Sequence, residues 1–429
     1  MKGQSQALTA HPLRREEIES RSRSLLDRIS QRSLIALFSR ITRGELTVVD
    51  GGERFVFGHA DGLSATITIR DPGAYRALLF SGTIGAGEAY MSNLWTCSEL
   101  PALARIFVRN LEALGALEGG ATRVARFAGE LMTKAIRRNT RAGSRRNIAR
   151  HYDLSNEFFG LFLDESMTYS SAIFESDATT LEDAQLAKLD RICRKLGLCA
   201  EDHLLEIGTG WGALAIHAAR AYGCRVTTTT VSAEQHRMAT ERVRAAGLEE
   251  KIEVLLCDYR DLTGKYDKLV SIEMVEAVGH EYLDLYFRTC SDRLAQHGQM
   301  LIQAITIADQ HHEQHRASLD FIKEYIFPGS CIPSVTSMVS AATRATDLRL
   351  FHLEDMTPHY AQTLRIWRER FMKNEDAVRR LGFDEPFLRM WEYYLAYCEG
   401  GFAERYLGCV HMLFTKPDSR RAPILPALQ

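Results

Sequence analysis

The spacing of apolar residues changes several times in the first third of the chain. Residues 16–43 place apolar side chains at helical intervals, whereas 46–69 contain short alternating runs separated by a Gly-Gly turn, which is typical of strands. A Gly-rich, aromatic stretch at 82–95 leads into helices predicted over 100–117 and 121–136. The pattern therefore predicts a small α+β unit in this part of the chain.

Beyond residue 181, helical runs alternate with short, continuously apolar runs that are typical of buried strands. This order predicts an α/β fold with a doubly wound, mainly parallel sheet. The predicted helices cover 181–197, 211–222, 233–247 and 280–296. The predicted strands cover 203–207, 225–231, 252–256, 267–272 and 298–304.

The length and composition fit a folded protein with more than one domain. At 429 residues, the chain is two to three times as long as a usual domain, and 45% hydrophobic with 25% charged residues excludes disordered and collagen-like classes. We expect an α+β domain over 1–133, a linker over 134–150 and a catalytic domain over 151–429.

The charge and the cysteine content limit which cellular compartment and which partners we expect. The net charge of -2 does not point to a polyanion such as nucleic acid, and the 9 cysteines lack the C-x-x-C pairs of a zinc site. We find no signal peptide and no run of the roughly 18 to 20 apolar residues that span a bilayer. We therefore expect a cytoplasmic protein, peripherally associated with the inner face of the membrane if it contacts lipid; a homodimer is compatible with the sequence.

One segment is strongly basic. Residues 134–150 contain seven Lys and Arg residues and no Asp or Glu. One interpretation is an extended, solvated linker. The other is attraction to an anionic membrane surface, worth on the order of 1 kcal/mol per basic residue. The segment lacks interleaved aromatic residues that stack on bases, which disfavours nucleic acid.

A glycine-rich turn after the strand at 203–207 is the motif that carries chemistry. Gly208, Gly210 and Gly212 let the backbone approach a ligand, while the N-terminus of the following helix supplies free N–H groups. A purely structural turn between strand and helix would give the same pattern, so the surrounding residues have to distinguish a ligand-binding turn from a structural one.

Those residues favour S-adenosylmethionine over a nicotinamide dinucleotide. A dinucleotide needs an acid at the end of the second strand, where the chain instead has four threonines at 227–230. Glu206 can bind the α-ammonium group of an amino acid moiety or order the turn. Asp258 ends the third strand, near the expected adenine edge. We therefore expect a bound S-adenosylmethionine whose sulfonium makes a methyl group electrophilic.

Six ordered motifs strengthen this interpretation. They lie at 151–159, 163–174, 205–212, 231–235, 258–262 and 271–279. Together they resemble cyclopropane-fatty-acyl-phospholipid synthases and the related mycolic acid methyltransferases, over roughly residues 80–415. The resemblance implies a class I methyltransferase sheet, a smaller N-terminal domain that helps dock on membrane, and methylene addition to the cis double bond of an unsaturated phospholipid acyl chain.

The resemblance also implies a binding site for S-adenosylmethionine. Besides Glu206 and Asp258, it would include Tyr169, Ser170, Gly208, Gly210, Gly212, Thr230, Gln235, Tyr259 and Arg260.

The family uses a bicarbonate ion as general base. By resemblance, its cage maps to Glu276, to Tyr360 and to the backbone of Ile305. Glu276 would orient the ion so that it removes a proton from the transferred methyl group and the ring can close.

Two positions depart from the family pattern. Ser171 stands where cysteine is usual, and Gln303 stands where histidine is common. The second change removes a charged donor for bicarbonate, although an amide still donates two hydrogens. Cys398 matches a cysteine that the family carries near its active site.

Other features have two interpretations each. Glu273 could face the methyl donor or cap the next helix. The cluster His311, His312, Glu313 and His315 resembles a metal site, but its segment is predicted to be polar and exposed, so we expect no metal. The aromatic residues of the last 80 positions are individually expected to be core, with Tyr360 as the exception that faces the reacting carbocation.

Three alternatives stay open at the level of function. Without a well-placed base, the product would be a methyl- or methylene-branched chain instead of a ring. The chain could also be a methyltransferase for soluble small molecules, or a non-catalytic lipid-binding protein on a degenerate fold. A nicotinamide oxidoreductase is the most distant alternative.

Overall fold

The computed structural model describes residues 23–115 and 154–424. The basic linker at 134–150 and the helix predicted over 121–136 lie outside the described residues, as do the expected domain boundaries. Within the described ranges the strands form one sheet of four and one sheet of seven.

The first described range is the predicted α+β unit. Its strands are β1 (Gly44–Asp50), β2 (Glu53–His59), β3 (Ser64–Ile69) and β4 (Trp95–Cys97). Its helices are α1 (Leu25–Phe38), α2 (Gly73–Met91), α3 (Leu100–Arg109) and α4 (Leu111–Gly115). Helix α1 begins after Ser24, which forms a capping box with Asp27, and ends at Phe38 instead of the predicted 43; residues 16–22 of the predicted helix lie outside the described residues. The Gly-rich stretch belongs to α2, which kinks at Gly82, where φ is 54°.

The second range forms the larger sheet and its helices. The strands are β5 (His203–Ile207), β6 (Arg225–Thr230), β7 (Ile252–Leu256), β8 (Tyr266–Ile272), β9 (Leu294–Ile307), β10 (Arg349–Asp355) and β11 (Leu407–Thr415). The helices are α5 (Asn156–Gly160), α6 (Leu181–Leu196), α7 (Ala213–Tyr222), α8 (Ala233–Ala245), α9 (Leu283–Arg293), α10 (Asp309–Ala317), α11 (Val335–Ala345), α12 (Thr357–Lys373), α13 (Glu375–Arg380) and α14 (Glu385–Ala403).

The strand order of the large sheet is β10-β11-β9-β8-β5-β6-β7. Strands β5 to β9 are parallel to one another, and β11 pairs antiparallel with β9 and β10. The predicted doubly wound, mainly parallel sheet is confirmed. Because parallel strands share one carboxyl edge, the loops after β5, β6, β8 and β9 meet at that edge.

An aromatic core joins the two parts. Helix α14 packs against α2 and α3, and Glu392 on α14 accepts a hydrogen bond of 2.7 Å from the Tyr90 hydroxyl. Trp367, Phe371 and Trp391 are fully buried, as expected for core residues of the aromatic tail.

The histidine cluster differs from its predicted exposure. His312 and His315 are buried on α10, and burial lowers the pKa of His315 to about 3, so that its imidazole is neutral. Within residues 23–115 and 154–424, no three His, Cys, Asp or Glu side chains are arranged to hold a metal ion. Over the same residues, no helix is long and apolar enough to cross a membrane.

Candidate active site

A cavity opens at the carboxyl edge of the large sheet, where β5, β6 and β8 end. Ten of the eleven residues predicted to bind S-adenosylmethionine line it. They are Tyr169, Ser170, Glu206, Gly208, Gly210, Thr230, Gln235, Asp258, Tyr259 and Arg260. Gly212 does not line the cavity; it precedes α7 with φ 87°, and a Cβ there would lie 3.4 Å from the Cβ of Ala239. That distance is an ordinary contact, so the positive φ at the start of α7, and not close packing, is what favours glycine here.

The glycine turn follows β5 directly. Gly208 and Gly210 have φ of 102° and 53°, a region that favours glycine, and a Cβ on Gly210 would meet nothing within 4 Å. The amides of Gly208 and Thr209 both donate to the carbonyl of Thr229. The turn is thus anchored to β6, with its glycines exposed to the cavity.

Glu206 is linked to the glycine turn by hydrogen bonds and also lines the cavity. Its carboxylate accepts a 2.6 Å hydrogen bond from the Thr228 hydroxyl, which lies 2.7 Å from the Thr209 hydroxyl in the turn. Burial raises the pKa of Glu206 to about 8. Without a ligand, Glu206 is therefore mainly a neutral acid at neutral pH, and a cation in the cavity would lower its pKa and offset the cost of burying its charge. Both roles considered for this residue are therefore compatible with the geometry.

The far wall comes from the ends of β6 and β7. The Thr230 hydroxyl donates to Gln235 over 2.8 Å. Asp258 accepts two side-chain hydrogen bonds from Arg260, at 2.8 and 2.6 Å. This ion pair orders the segment on which the adenine was expected to lie, although the Asp258 carboxylate is directed to Arg260.

Lys188 is a cavity residue that sequence reasoning missed. It lies on α6, is completely buried, and donates to the Ser170 hydroxyl over 2.8 Å. Burial lowers its pKa to about 8. A lysine within a helix gives no signal in the sequence that distinguishes it from a solvated one.

Glu273 faces the same cavity and is the centre of a hydrogen-bonded cluster. Its Oε1 accepts from the backbone N–H of Ser171 at 2.9 Å and from Nε2 of Gln303 at 2.7 Å. Its Oε2 accepts from the Tyr360 hydroxyl at 2.6 Å, and Sγ of Cys409 lies 3.9 Å from Oε1. Of the two roles left open for Glu273, the structure shows the one that faces the cavity.

The remaining predicted catalytic residues surround this cluster without lining the cavity. Ser171, Gln303 and Tyr360 meet at Glu273. Ile305 contacts Glu276 through its backbone N–H. Within the described residues, Cys398 makes no hydrogen bond to the cluster; burial raises its pKa, and Asp320 is its charged neighbour. The cysteine near the cluster is Cys409, opposite Ile305 on β11.

Glu276 differs from Glu273 in its surroundings. Its Oε1 accepts from the Ile305 N–H at 2.5 Å, while its buried Oε2 has no hydrogen-bond partner in residues 23–115 or 154–424. Burial, and secondarily the nearby Glu273, raise the pKa of Glu276 to about 8. At neutral pH, Glu276 is therefore mainly a neutral acid.

The residues present do not fit a bicarbonate ion. Of the groups assigned to its cage, the Ser171 N–H, the Gln303 amide and the Tyr360 hydroxyl all donate to Glu273. The fourth, the Ile305 N–H, donates to Glu276. Carboxylates of the chain itself therefore hold the donors that the ion would need.

The same residues do fit S-adenosylmethionine. The buried Glu206 carboxylate can pair with an ammonium group, and the open glycine turn leaves room for close approach of a ligand. When bound, this donor supplies an electrophilic methyl group. The fold and the cavity together define a class I S-adenosylmethionine-dependent methyltransferase.

Comparison with known proteins gives the family. The model of the mycolic acid cyclopropane synthetase family matches residues 139–412. The chain is 42% identical over 364 residues to the tuberculostearic acid methyltransferase UfaA1 of Mycobacterium tuberculosis, covering 82% of this chain and 83% of that protein. It is 34% identical to the cyclopropane-fatty-acyl-phospholipid synthase of Escherichia coli K12, covering 82% and 88%.

A solved structure gives the same result. The mycolic acid cyclopropane synthase CmaA1, complexed with SAH and CTAB, is 31% identical with a TM-score of 0.60, covering 63% of this chain and 98% of that one. The chain belongs to the mycolic acid cyclopropane synthetase family.

Proposed function

We propose that this protein transfers a one-carbon unit from S-adenosylmethionine to the cis double bond of an unsaturated fatty acyl chain of a phospholipid. The observation that carries the proposal is that the cavity at the glycine turn also contains Glu273, a carboxylate held by three buried donors. Methyl transfer to an alkene creates a carbocation, and such a cation must lose a proton to a fixed base.

The surroundings of Glu273 suit a cationic intermediate. The Tyr360 ring stacks on Phe402 with centroids 4.3 Å apart, and Tyr169 lies 5.3 Å from Trp367. Tyr169 lines the cavity, and an aromatic face stabilises a cation by roughly 0.5 to 2 kcal/mol, whereas Tyr360, Phe402 and Trp367 pack behind the cavity wall. Their packing also keeps water, which would trap the cation, away from this side of the cavity.

Two products are consistent with this chemistry. The first is a cyclopropane ring, which we propose because the E. coli relative is named for that reaction. The second is a methyl- or methylene-branched chain, favoured by the 42% identity to a tuberculostearic acid methyltransferase. The electron pair of the C–H bond that loses its proton closes the ring in the first product and forms a C=C bond in the second, so product analysis separates them.

The phospholipid substrate and the membrane contact are also part of the proposal. The name of the E. coli relative supports a phospholipid-bound acyl chain. The basic run at 134–150 supports docking on an anionic inner membrane surface. With the docked cavity near the bilayer, the acyl chain need not cross water. We also propose a homodimer; bicarbonate is not part of the proposal, because Glu273 and Glu276 hold the donors that it would need.

The test incubates the purified protein with vesicles of oleoyl phosphatidylglycerol and ¹³C-methyl-labelled S-adenosylmethionine. We expect labelled lipid with either a ring CH₂ or an exomethylene signal in its NMR spectrum, and none with vesicles of saturated phospholipid. Unmodified oleoyl lipid would refute the proposed function. Absence of donor binding by calorimetry would instead favour a non-catalytic lipid-binding protein.

A second assay tests the membrane contact. Cosedimentation with anionic vesicles should decrease as salt rises, because the attraction is screened within about 10 Å at 0.1 M salt. Replacing the seven basic residues of 134–150 by glutamine should abolish this salt-dependent binding. Full turnover on soluble substrates without vesicle binding would support the small-molecule alternative.

A further inference from the structure

We infer that Glu273 is the general base of this enzyme and occupies the place that a bicarbonate ion would otherwise take. The inference deepens the proposed function and rests on it for the identity of the reaction. In this inference the Glu273 carboxylate accepts the proton, so that turnover needs no external anion.

The first argument is the set of hydrogen bonds. A carboxylate presents two oxygens in a plane, as bicarbonate does, and Glu273 uses both. Oε1 accepts from the Ser171 N–H at 2.9 Å and the Gln303 amide at 2.7 Å, while Oε2 accepts from Tyr360 at 2.6 Å. Ser171 and Gln303 are completely buried and Tyr360 is 6% exposed, so the three donors have no competing water in the fold. They form an anion site that the chain fills by itself.

The second argument is the direction of the Gln303 amide. Its Oε1 lies 2.9 Å from Nε2 of the buried His411, whose Nδ1 lies 3.1 Å from Nζ of Lys195. Lysine can only donate, so Nδ1 accepts and Nε2 carries the hydrogen. The amide oxygen of Gln303 therefore faces His411, and its NH₂ group faces Glu273. A glutamine held in this way stabilises a fixed carboxylate without adding a positive charge.

The third argument is backbone strain. Glu273 has φ of 46°, in the left-handed region that costs most side chains free energy. This conformation brings the carboxylate from the end of β8 to the cavity wall. Glycine would adopt this φ without strain. A side chain that keeps the strained conformation is typically one that the site needs for its function.

Glu276 is the alternative base, and its surroundings argue against it. Its Oε2 is buried without a donor, and its pKa is raised to about 8. Burial also raises the pKa of Glu273, but Tyr360, Ser171 and Gln303 each oppose that effect by stabilising the anion. Glu273 is thus the carboxylate of the pair that is better stabilised as an anion. It also lines the cavity, which Glu276 does not.

The step balances without another reactant. The π electrons of the alkene form the new C–C bond to the methyl carbon, and the electrons of the broken C–S bond stay on sulfur. Glu273 then takes one proton from the transferred methyl group. The freed C–H electrons form the third bond of the ring, or, after a hydride shift, the double bond of a methylene branch. The proton leaves Glu273 to solvent between turnovers.

The test compares full-length wild type with Glu273→Gly and Glu273→Gln. Glycine accepts the positive φ and leaves the three donors available to an added anion, whereas glutamine removes the base but keeps the site filled. Binding of ¹³C-bicarbonate is measured by calorimetry with S-adenosylhomocysteine present. Turnover on oleoyl vesicles is measured with and without bicarbonate. Circular dichroism checks that both variants fold.

We expect wild-type turnover to be the same within about twofold after bicarbonate removal, with no saturable bicarbonate binding. Glu273→Gly should lose roughly 10²- to 10⁴-fold in turnover, bind bicarbonate, and regain at least about tenfold when it is added. Glu273→Gln should stay inactive in both conditions. Saturable bicarbonate binding to wild type, or about a tenfold loss of its turnover without the ion, would overturn the inference. Wild type that makes no product would refute the proposed function, while the binding measurements would still decide which anion fills the site.

Discussion

The glycine-turn end of the cavity and the Glu273 end are assembled in different ways. At the glycine turn, Glu206, Gly208 and Gly210 are nearly adjacent in the sequence; Thr230 ends β6, and Asp258 lies two residues after β7. At the other end, the groups that meet come from a loop before α6, the end of β8, strand β9, helix α12 and strand β11. The proposed donor site is therefore built from local backbone geometry, and the proposed proton-transfer site from long-range packing.

This difference predicts a different kinetic effect at each end. A substitution at the glycine turn should change donor affinity, and one in the Glu273 cluster should change the chemical step. The two quantities are separable because donor binding is measured with S-adenosylhomocysteine in the absence of lipid.

The largest effect is expected for Glu273→Gln. The amide keeps the shape of the side chain but cannot take a proton, so kcat should decrease by roughly 10²- to 10⁴-fold. The donor Kd, measured by calorimetry, should change by less than about threefold. A donor Kd that rises by as large a factor as kcat falls would mean that Glu273 binds the donor, and the two ends of the cavity would then not differ in function.

Glu206→Gln should show the opposite result. Among the residues that the structure describes, no lysine or arginine lies within hydrogen-bond distance of this buried carboxylate, which accepts a hydrogen bond from the Thr228 hydroxyl. Glutamine cannot take the negative charge that the ammonium group of the donor favours on Glu206, so the donor should bind about 10- to 100-fold more weakly, since a charged hydrogen bond contributes roughly 1.5 to 3 kcal/mol. With saturating donor, kcat should be nearly unchanged. Thr228→Val is the matched control, because it leaves the Glu206 carboxylate in place and should raise the donor Kd by a smaller factor.

Tyr360→Phe should have an intermediate effect. It removes the donor to Oε2 of Glu273 but keeps the ring that stacks on Phe402. One lost hydrogen bond to a carboxylate should lower kcat by about tenfold and raise the apparent pKa of the base limb of the pH profile. A variant with unchanged kcat and an unchanged pH profile would show that the hydroxyl does not act on the base.

Glu276→Gln should have the smallest effect on turnover and should instead change stability. The pKa of Glu276 is raised from 4.5 to about 8 in the folded protein, so the folded state holds this proton more tightly than the unfolded state. Stability of the wild type therefore decreases as pH rises from about 4.5 to about 8, and the variant lacks this loss. The variant should melt at the wild-type temperature near pH 4.5 and at a higher temperature near pH 8.5. Equal melting temperatures at both pH values would show that the carboxyl is not buried as a neutral acid.

Sequence reasoning predicted most of the sheet and the donor end. The bounds of β5 and β7 agree with the predicted strands because each apolar run ends at a turn residue. Helix α9 is shorter than predicted, since residues 280–282 form a 3₁₀ turn that the apolar period does not distinguish from an α-helix.

The Glu273 cluster was harder to predict. Cys398 and Cys409 both lie in mainly apolar stretches of the sequence, which do not distinguish them. The pairing of β11 with β9 is what brings Cys409 to the site. Lys188 looks like any lysine of an amphipathic helix. Glu273 had one available signal, an acid at the end of β8 on the same sheet edge as the glycine turn, but the pattern does not say which way its side chain points.

The most direct test of the central claim uses S-adenosylmethionine with a trideuterated methyl group and oleoyl phospholipid vesicles. The claim is that the transferred methyl group gives a proton to a base fixed beside the donor cavity. We predict a product that keeps two deuterium atoms and loses the third, whether it is a ring or a methylene branch, measured by mass spectrometry. A product that keeps all three deuterium atoms, or lipid that stays unmodified, would contradict the account.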